Sequence, residues 1–213
     1  MNRRLSKATL LILGVTCVVA SAACGDLVRQ GRSPSFLVID LMSATSGASP
    51  GTFGQILESD VVTLVTQTVG GAQIRVPTIF EDIGQVQVRI LLKDQGSPGA
   101  TATPSNINII TINRYRVVYK RSDGRNTPGV DVPYPFDGAI TATITNTPVQ
   151  LTFILVRIQA KVEPPLRALG SGGGAIAIST IAEVTFYGHD QAGNEVASTG
   201  NISVNFADWG DPE

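Results

Sequence analysis

The chain has 213 residues, with 16 Lys and Arg against 17 Asp and Glu, a formal net charge of −1 and a single His. This balance argues against nucleic acid as a partner, because a nucleic-acid face is strongly basic. One His and two Cys also leave no cluster from which a zinc or copper site is built.

The first 24 residues fall into three parts. Arg3, Arg4 and Lys7 form a basic start, residues 8–20 are an uncharged apolar run, and Ser21-Ala22-Ala23 leads to Cys24. This is the layout of a secretory signal over residues 1–23. The 13-residue run is shorter than the roughly 20 residues of a membrane-spanning helix. The segment resembles a bacterial lipoprotein signal, in which small residues precede a cysteine that is acylated and becomes the mature N-terminus. Ser21 stands where that pattern usually has Leu, and ordinary cleavage after Ala22 or Ala23 would leave Cys24 unmodified. The resemblance implies lipidation of Cys24 and attachment to a lipid bilayer. Gly25 rather than Asp follows the cysteine. By analogy with proteobacterial sorting this favours the outer membrane, facing either the periplasm or the cell surface.

Removal of residues 1–23 takes away Arg3, Arg4, Lys7 and Cys17. The remaining 190 residues carry 13 basic and 17 acidic side chains, a net charge of −4, and one cysteine. With no partner for Cys24, a disulfide within the mature chain is excluded, and the hydrophobic core has to hold the fold.

Residues 24–34 read as a polar tether. From residue 35 the pattern is one of short β-rich runs separated by Gly, Pro, Ser, Asn and Asp. Strands are predicted over 36–42 and 61–68, with Gly70-Gly71 as a tight turn into a strand over 73–77. Residues 85–93 alternate, with Val86, Val88, Ile90 and Leu92 on one face, as in a half-buried strand. Residues 107–121 are long for one strand, and Asn113-Arg114 interrupts their apolar phase, so a bulge is expected there. Strands follow at 140–144, 149–162, 180–189 and 195–206. The run 149–162 changes apolar parity midway, as a strand with a bulge does. Residues 208–213 form an acidic tail.

No amphipathic helix of ten residues or more is evident. Eight or nine strands without helical crossovers imply an all-β antiparallel β-sandwich over residues 35–207, as one decorated sandwich or two small ones. The segment 186–196, with Asp190-Gln191-Ala192-Gly193-Asn194 between two strands, resembles the final hairpin of bacterial immunoglobulin-like and fibronectin-type modules. That resemblance implies an immunoglobulin-like sandwich and carries no information on ligands. Locally, Asp190 is placed to bond backbone amides two residues on, and Gly193-Asn194 to take positive φ.

Chemistry-bearing residues are few. His189 would have to be the base of any Ser-His-Asp set; it flanks a turn, and no Gly-x-Ser-x-Gly occurs. Glu58, Asp60, Glu81, Asp82 and Glu183 are the carboxylates from which a glycosidase pair would be drawn; solvated loop acids are the alternative, and Glu183 should face solvent. Asp123, Asp131 and Asp137 share one loop but lack calcium-loop spacing. Gly170-Ser171-Gly172-Gly173-Gly174 lacks the Lys and helix of a phosphate loop. Arg114, Arg116 and Lys120 line one strand face, as an anion grip or a solvated side. Tyr134 and Phe136 sit between prolines on residues 129–138, as contact residues or as a lid on the core.

The expectation is therefore a membrane-anchored lipoprotein without catalytic, metal or cofactor residues, serving as a binding, adhesion or scaffold module for a protein or glycan partner. The alternative is a carbohydrate-active enzyme or accessory domain using loop carboxylates.

Overall fold

The computed structural model describes residues 32–94, 96–97, 100–171 and 177–210. The signal segment, Cys17 and Cys24 lie outside these residues, as do 172–174 of the glycine run and the last three residues of the tail.

Twelve strands occur among the described residues. In chain order they are β1 (Ser35–Thr45), β2 (Ile56–Asp60), β3 (Thr63–Val69), β4 (Ala72–Thr78), β5 (Asp82–Leu92) and β6 (Gly96–Ser97). They continue with β7 (Ala100–Thr101), β8 (Ile110–Lys120), β9 (Phe136–Ile144), β10 (Val149–Val156), β11 (Ala177–Asp190) and β12 (Glu195–Ala207). One sheet has the order β1-β5-β10 and the other β2-β12-β11-β8-β9. The fold is all-β, a sandwich of antiparallel strands. One edge departs from the antiparallel rule: β2 lies parallel to β12. Three strands beyond the nine expected, β2, β6 and β7, are two to five residues long, too short for alternation to reveal.

Alternation decides which side chains enter the core. Val86, Val88 and Ile90 of β5, Ala182, Val184 and Phe186 of β11, and Val196, Ile202, Val204 and Phe206 of β12 are buried. They join Tyr115, Val117, Tyr119 and Phe153 in one contiguous apolar cluster drawn from both sheets. Tyr115, Phe153 and Phe186 meet one another with ring centroids 5.2 to 6.1 Å apart. Such contacts add to the area term.

Two breaks of alternation are resolved by bulges. In β8 the register with β9 shifts between Ile112 and Arg114, so the expected irregularity at Asn113 is present. In β1 the shift lies between Ile39 and Leu41. It leaves Asp40 outside, where its carboxylate accepts from Arg89 Nε at 2.8 Å, and lets Leu37 and Met42 both point inward.

The run 149–162 needs a correction. The register of β10 shifts between Ile154 and Val156, but the chain then leaves the sheet. Ile158–Val162 is a short helix, α1. Helical spacing turns Ala160 and Lys161 inward and leaves Ile158 and Val162 exposed. The apolar parity that suggested a continuing strand is thus carried by a helix, ended before Pro164-Pro165.

β3 and β4 form a separate antiparallel ribbon around Gly70-Gly71, both at positive φ, as the turn signal implied. At Gly84 the ring of Phe153 lies directly on the backbone, in the space a Cβ would fill. Gly84→Ala should therefore lower stability by about 1–3 kcal/mol in urea unfolding through overpacking. Thr68→Ala on the exposed ribbon should change it by less than about 0.5 kcal/mol.

Candidate functional site

Strand β2 organises the two places where polar groups gather. Its alternation sends Leu57 and Ser59 into the sandwich, with Glu58 and Asp60 on the opposite side. Outside, a cleft of about 410 Å³ is lined by Ser46, Ser49, Thr52, Glu58, Asp60 and Trp209, among others. Glu58 and Asp60 are two residues apart on one strand face, about 7 Å along the strand. Asp60 accepts from the Thr63 hydroxyl and, at 3.1 Å, from the Trp209 backbone amide. Both of its oxygens are thereby engaged in holding the end of β12 against the start of β3. Glu58 stays exposed on the cleft. The acidic pair thus combines one tied carboxylate and one solvated one.

Inside, Asp82 at the start of β5 is fully buried, and Lys161 of α1 lies against it with 1% of its surface exposed. Lys161 Nζ donates to Asp82 Oδ1 at 3.0 Å and lies 2.9 Å from Oδ2. The Ser59 hydroxyl donates to Oδ2 at 2.6 Å, and the Gly47 amide donates to Oδ1 at 3.0 Å. Gly47 is required by close approach, since a Cβ there would strike the Glu81 carbonyl oxygen. Burial pushes the Asp82 carboxyl above its ordinary range, and Lys161, Ser59 and Gly47 each draw it back. The charge is tolerated only because all four groups converge. Elsewhere in the core, the buried Tyr119 hydroxyl donates to the Leu155 carbonyl at 2.6 Å.

This site was partly hidden from the sequence. The sequence offers Glu81 and Asp82 as carboxylates of a glycosidase pair or as solvated loop acids; Asp82 is a core residue instead, and Glu81 is exposed. Lys161 had no signal, because strand parity would have placed it outside. The usable clue was a lysine in an otherwise apolar stretch just ahead of Pro164-Pro165.

The remaining candidates have local partners. Arg116 pairs with Asp137 at 2.6 Å, Arg114 lies 3.5 Å from the same carboxylate and stacks over Tyr187 at 3.7 Å, and Lys120 pairs with Glu183 at 2.6 Å. The basic stripe is thus a solvated sheet face neutralised across strands, and Glu183 lies on that outer face as expected. Asp123 bonds Arg121 and Arg125, and the hydrogen bond from Arg121 leads in holding its carboxyl below the usual range. Asp131 caps the Thr127 amide at 3.2 Å. The three aspartates do not share one loop, since Asp137 stands on β9; each has its own partners, and among the described residues no group of three acidic, His or Cys side chains is placed to hold a metal ion. Phe136 is buried with the Arg157 guanidinium 4.2 Å over its ring, while Tyr134 remains exposed. His189 is exposed opposite Glu195.

The hairpin between β11 and β12 follows the local logic of its sequence. Asp190 Oδ1 accepts from the Ala192 and Asn194 amides, each at 2.9 Å, and Oδ2 from the Asn194 side chain at 2.9 Å. Only Gly193 takes positive φ. Ser33 is buried and also bonds Asp190, which pins the start of the domain to this turn. Burial works against the Asp190 charge, but the bonds from Asn194, Ser33 and Ala192 outweigh it and hold the carboxyl below its usual range.

No family model, no curated protein and no solved structure matches this chain. The residues themselves therefore carry the functional argument.

Lys161→Met strands a buried carboxylate and should cost about 3–5 kcal/mol in denaturant unfolding. Lys120→Met, which breaks an exposed pair, should cost at most about 1 kcal/mol. Because the folded Asp190 carboxyl lies below its unfolded value of about 3.9, its contribution is present above that pH. It is lost as pH falls through the folded value. Asp190→Ala should thus destabilise at pH 7 and flatten the acid limb of the stability curve below about pH 4, read by thermal melts across pH.

Proposed function

We propose that the chain is an exported lipoprotein, anchored to a bilayer through acylated Cys24, whose immunoglobulin-like sandwich acts as a non-enzymatic binding, adhesion or scaffold module. The observation that carries this reading is the use made of its acidic side chains. Asp82 is sealed against Lys161, Asp60 is tied to Thr63 and Trp209, and Asp123, Asp137 and Glu183 are paired with surface cations. A glycosidase needs one carboxylate to donate a proton and a second to activate water or attack. An acid with both oxygens already accepting bonds is poorly placed for either role. The Asp190 turn and the two-sheet core support the immunoglobulin-like form.

The cleft at Trp209 favours a second reading within the same export pathway, a saccharide-binding accessory module. An aromatic side chain beside Glu58, Ser46, Ser49 and Thr52 offers the mixture of apolar and hydrogen-bonding surface that a sugar ring takes.

Metabolic labelling with a fatty acid tests the anchor. The wild-type chain should carry label and sediment with membranes, and Cys24→Ala should do neither; an unlabelled wild type overturns the anchored reading. Trp209 is the sole tryptophan, so titration of the soluble domain with a panel of oligosaccharides should shift its emission if the cleft takes sugar. An unchanged spectrum, with turnover absent, leaves the protein-partner form of the module.

A further inference from the structure

The ribbon of β3 and β4 leaves the sandwich with apolar surface uncovered. Directly paired residues share a face, so Val65 and Val76, Gln67 and Ile74, and Val69 and Ala72 stand together on one side. Thr66, Thr68, Gln73 and Arg75 stand on the other. Arg75 is the only charged residue between Thr63 and Thr78, so the first side carries no charge. Val65 and Val76 are half-buried at the root, but residues 66–75 are all exposed, with Val69 at 57% and Ile74 at 44%. A two-stranded ribbon by itself is marginally stable at best in water. Its pattern calls for a second surface over Val69 and Ile74.

The same chain offers such a surface. Ser203 of β12 is flanked by Ile181 of β11 and Ile56 of β2 in one cross-strand row. Both isoleucines are exposed. A groove of about 360 Å³ is lined by Ile181, Ser203 and the exposed Leu41 of β1, with Gln55, Asn201 and Asp40 among its other residues. Asp40 is the one charge in this lining, and Arg89 already engages it. The groove therefore combines apolar and neutral hydrogen-bonding groups. The ribbon face of Val69, Ile74 and Gln67 has the same character.

We propose that two copies of this chain form a twofold dimer, in which the ribbon of each lays its Val69 and Ile74 face into the groove between Leu41 and Ile181 of the other.

Area favours this reciprocal arrangement over a one-sided contact. Seven residues per strand make the ribbon about 24 Å long and about 10 Å wide, so its face and the groove beneath it together bury on the order of 500 Å². One such contact falls short of the roughly 1,000 Å² that a specific interface needs. Each copy carries both the ribbon and the groove, so a twofold axis repeats the contact and brings the total to that threshold. In the dimer Val69 and Ile74 leave water, and Gln67 meets the Asn201 amide and the Ser203 hydroxyl. Dimerisation is independent of the anchored binding role, and either can fail alone.

The test is sedimentation velocity of the full chain in detergent solution across a range of concentrations. The wild type should pass from monomer to dimer. Val69→Asp combined with Ile74→Asp should weaken dimerisation roughly thirtyfold or more, and Ile181→Asp should do the same from the groove side. Thr68→Asp, on the other face of the ribbon, should leave the dimer intact. All four positions are exposed, so the variants should keep the wild-type circular dichroism spectrum. A photo-reactive amino acid in place of Ile74, activated in intact cells, should give a covalent species of twice the chain's mass, cross-linked to β1, β11 or β12. A wild type that stays monomeric would overturn the proposal. So would a dimer indifferent to the substitutions on both faces, or a cross-link to the chain's own body or to a different protein.

Discussion

A carboxylate with no exposed surface, facing a lysine with almost none, is the constraint around which this sandwich is arranged. Asp82 opens the central strand of the smaller sheet. Its partners come from β2 through Ser59, from the loop after β1 through Gly47, and from α1 through Lys161. Each of these elements is otherwise peripheral. β2 is a short parallel edge, α1 is barely more than one turn, and the loop at Gly47 carries little apolar surface of its own. The buried charge gives all three a fixed position, because displacing any of them would leave a polar group unsatisfied in a low-dielectric interior. Hydrophobic burial supplies the bulk of the stability. The polar centre selects one arrangement of the edges.

The Trp209 cleft is a consequence of that arrangement. β2 faces inward at Ser59 and outward at Glu58 and Asp60, so the residue that seals the core and the residues that line the cleft alternate on one strand. Asp60 then fastens the end of β12 through the Trp209 amide. Glu58 and Asp60 thus take their places from the sheet, whereas Ser46, Ser49, Thr52 and Trp209 reach the cleft from the loops on either side of it.

Much of the fold was legible because alternation is a strong signal where one face is buried. The inward sets on β5, β11 and β12, the Gly70-Gly71 turn, the irregularity at Asn113 and the Asp190 turn all follow from period two and turn chemistry. What escaped did so for physical reasons. β2, β6 and β7 are too short for periodicity. The stretch after Val156 has apolar residues at alternate positions yet forms a helix, because α1 is held by Lys161 reaching Asp82 across a gap of 79 residues. No local pattern encodes a contact of that range. The candidate site was less legible than the fold for the same reason. Glu58 and Asp60 were visible as acids, but their union with Trp209, 149 residues from Asp60, belongs to tertiary structure.

The most direct test of this account is a double-mutant cycle between Asp82 and Lys161, using Asp82→Leu, Lys161→Met and the two together, followed by urea unfolding. If the pair organises the edges, the two changes are strongly coupled, with an interaction energy at the upper end of the roughly 0.5–3 kcal/mol seen for contacting residues, and the double variant recovers much of what either single one loses. Additive effects would contradict the account and reduce the pair to two independent core positions.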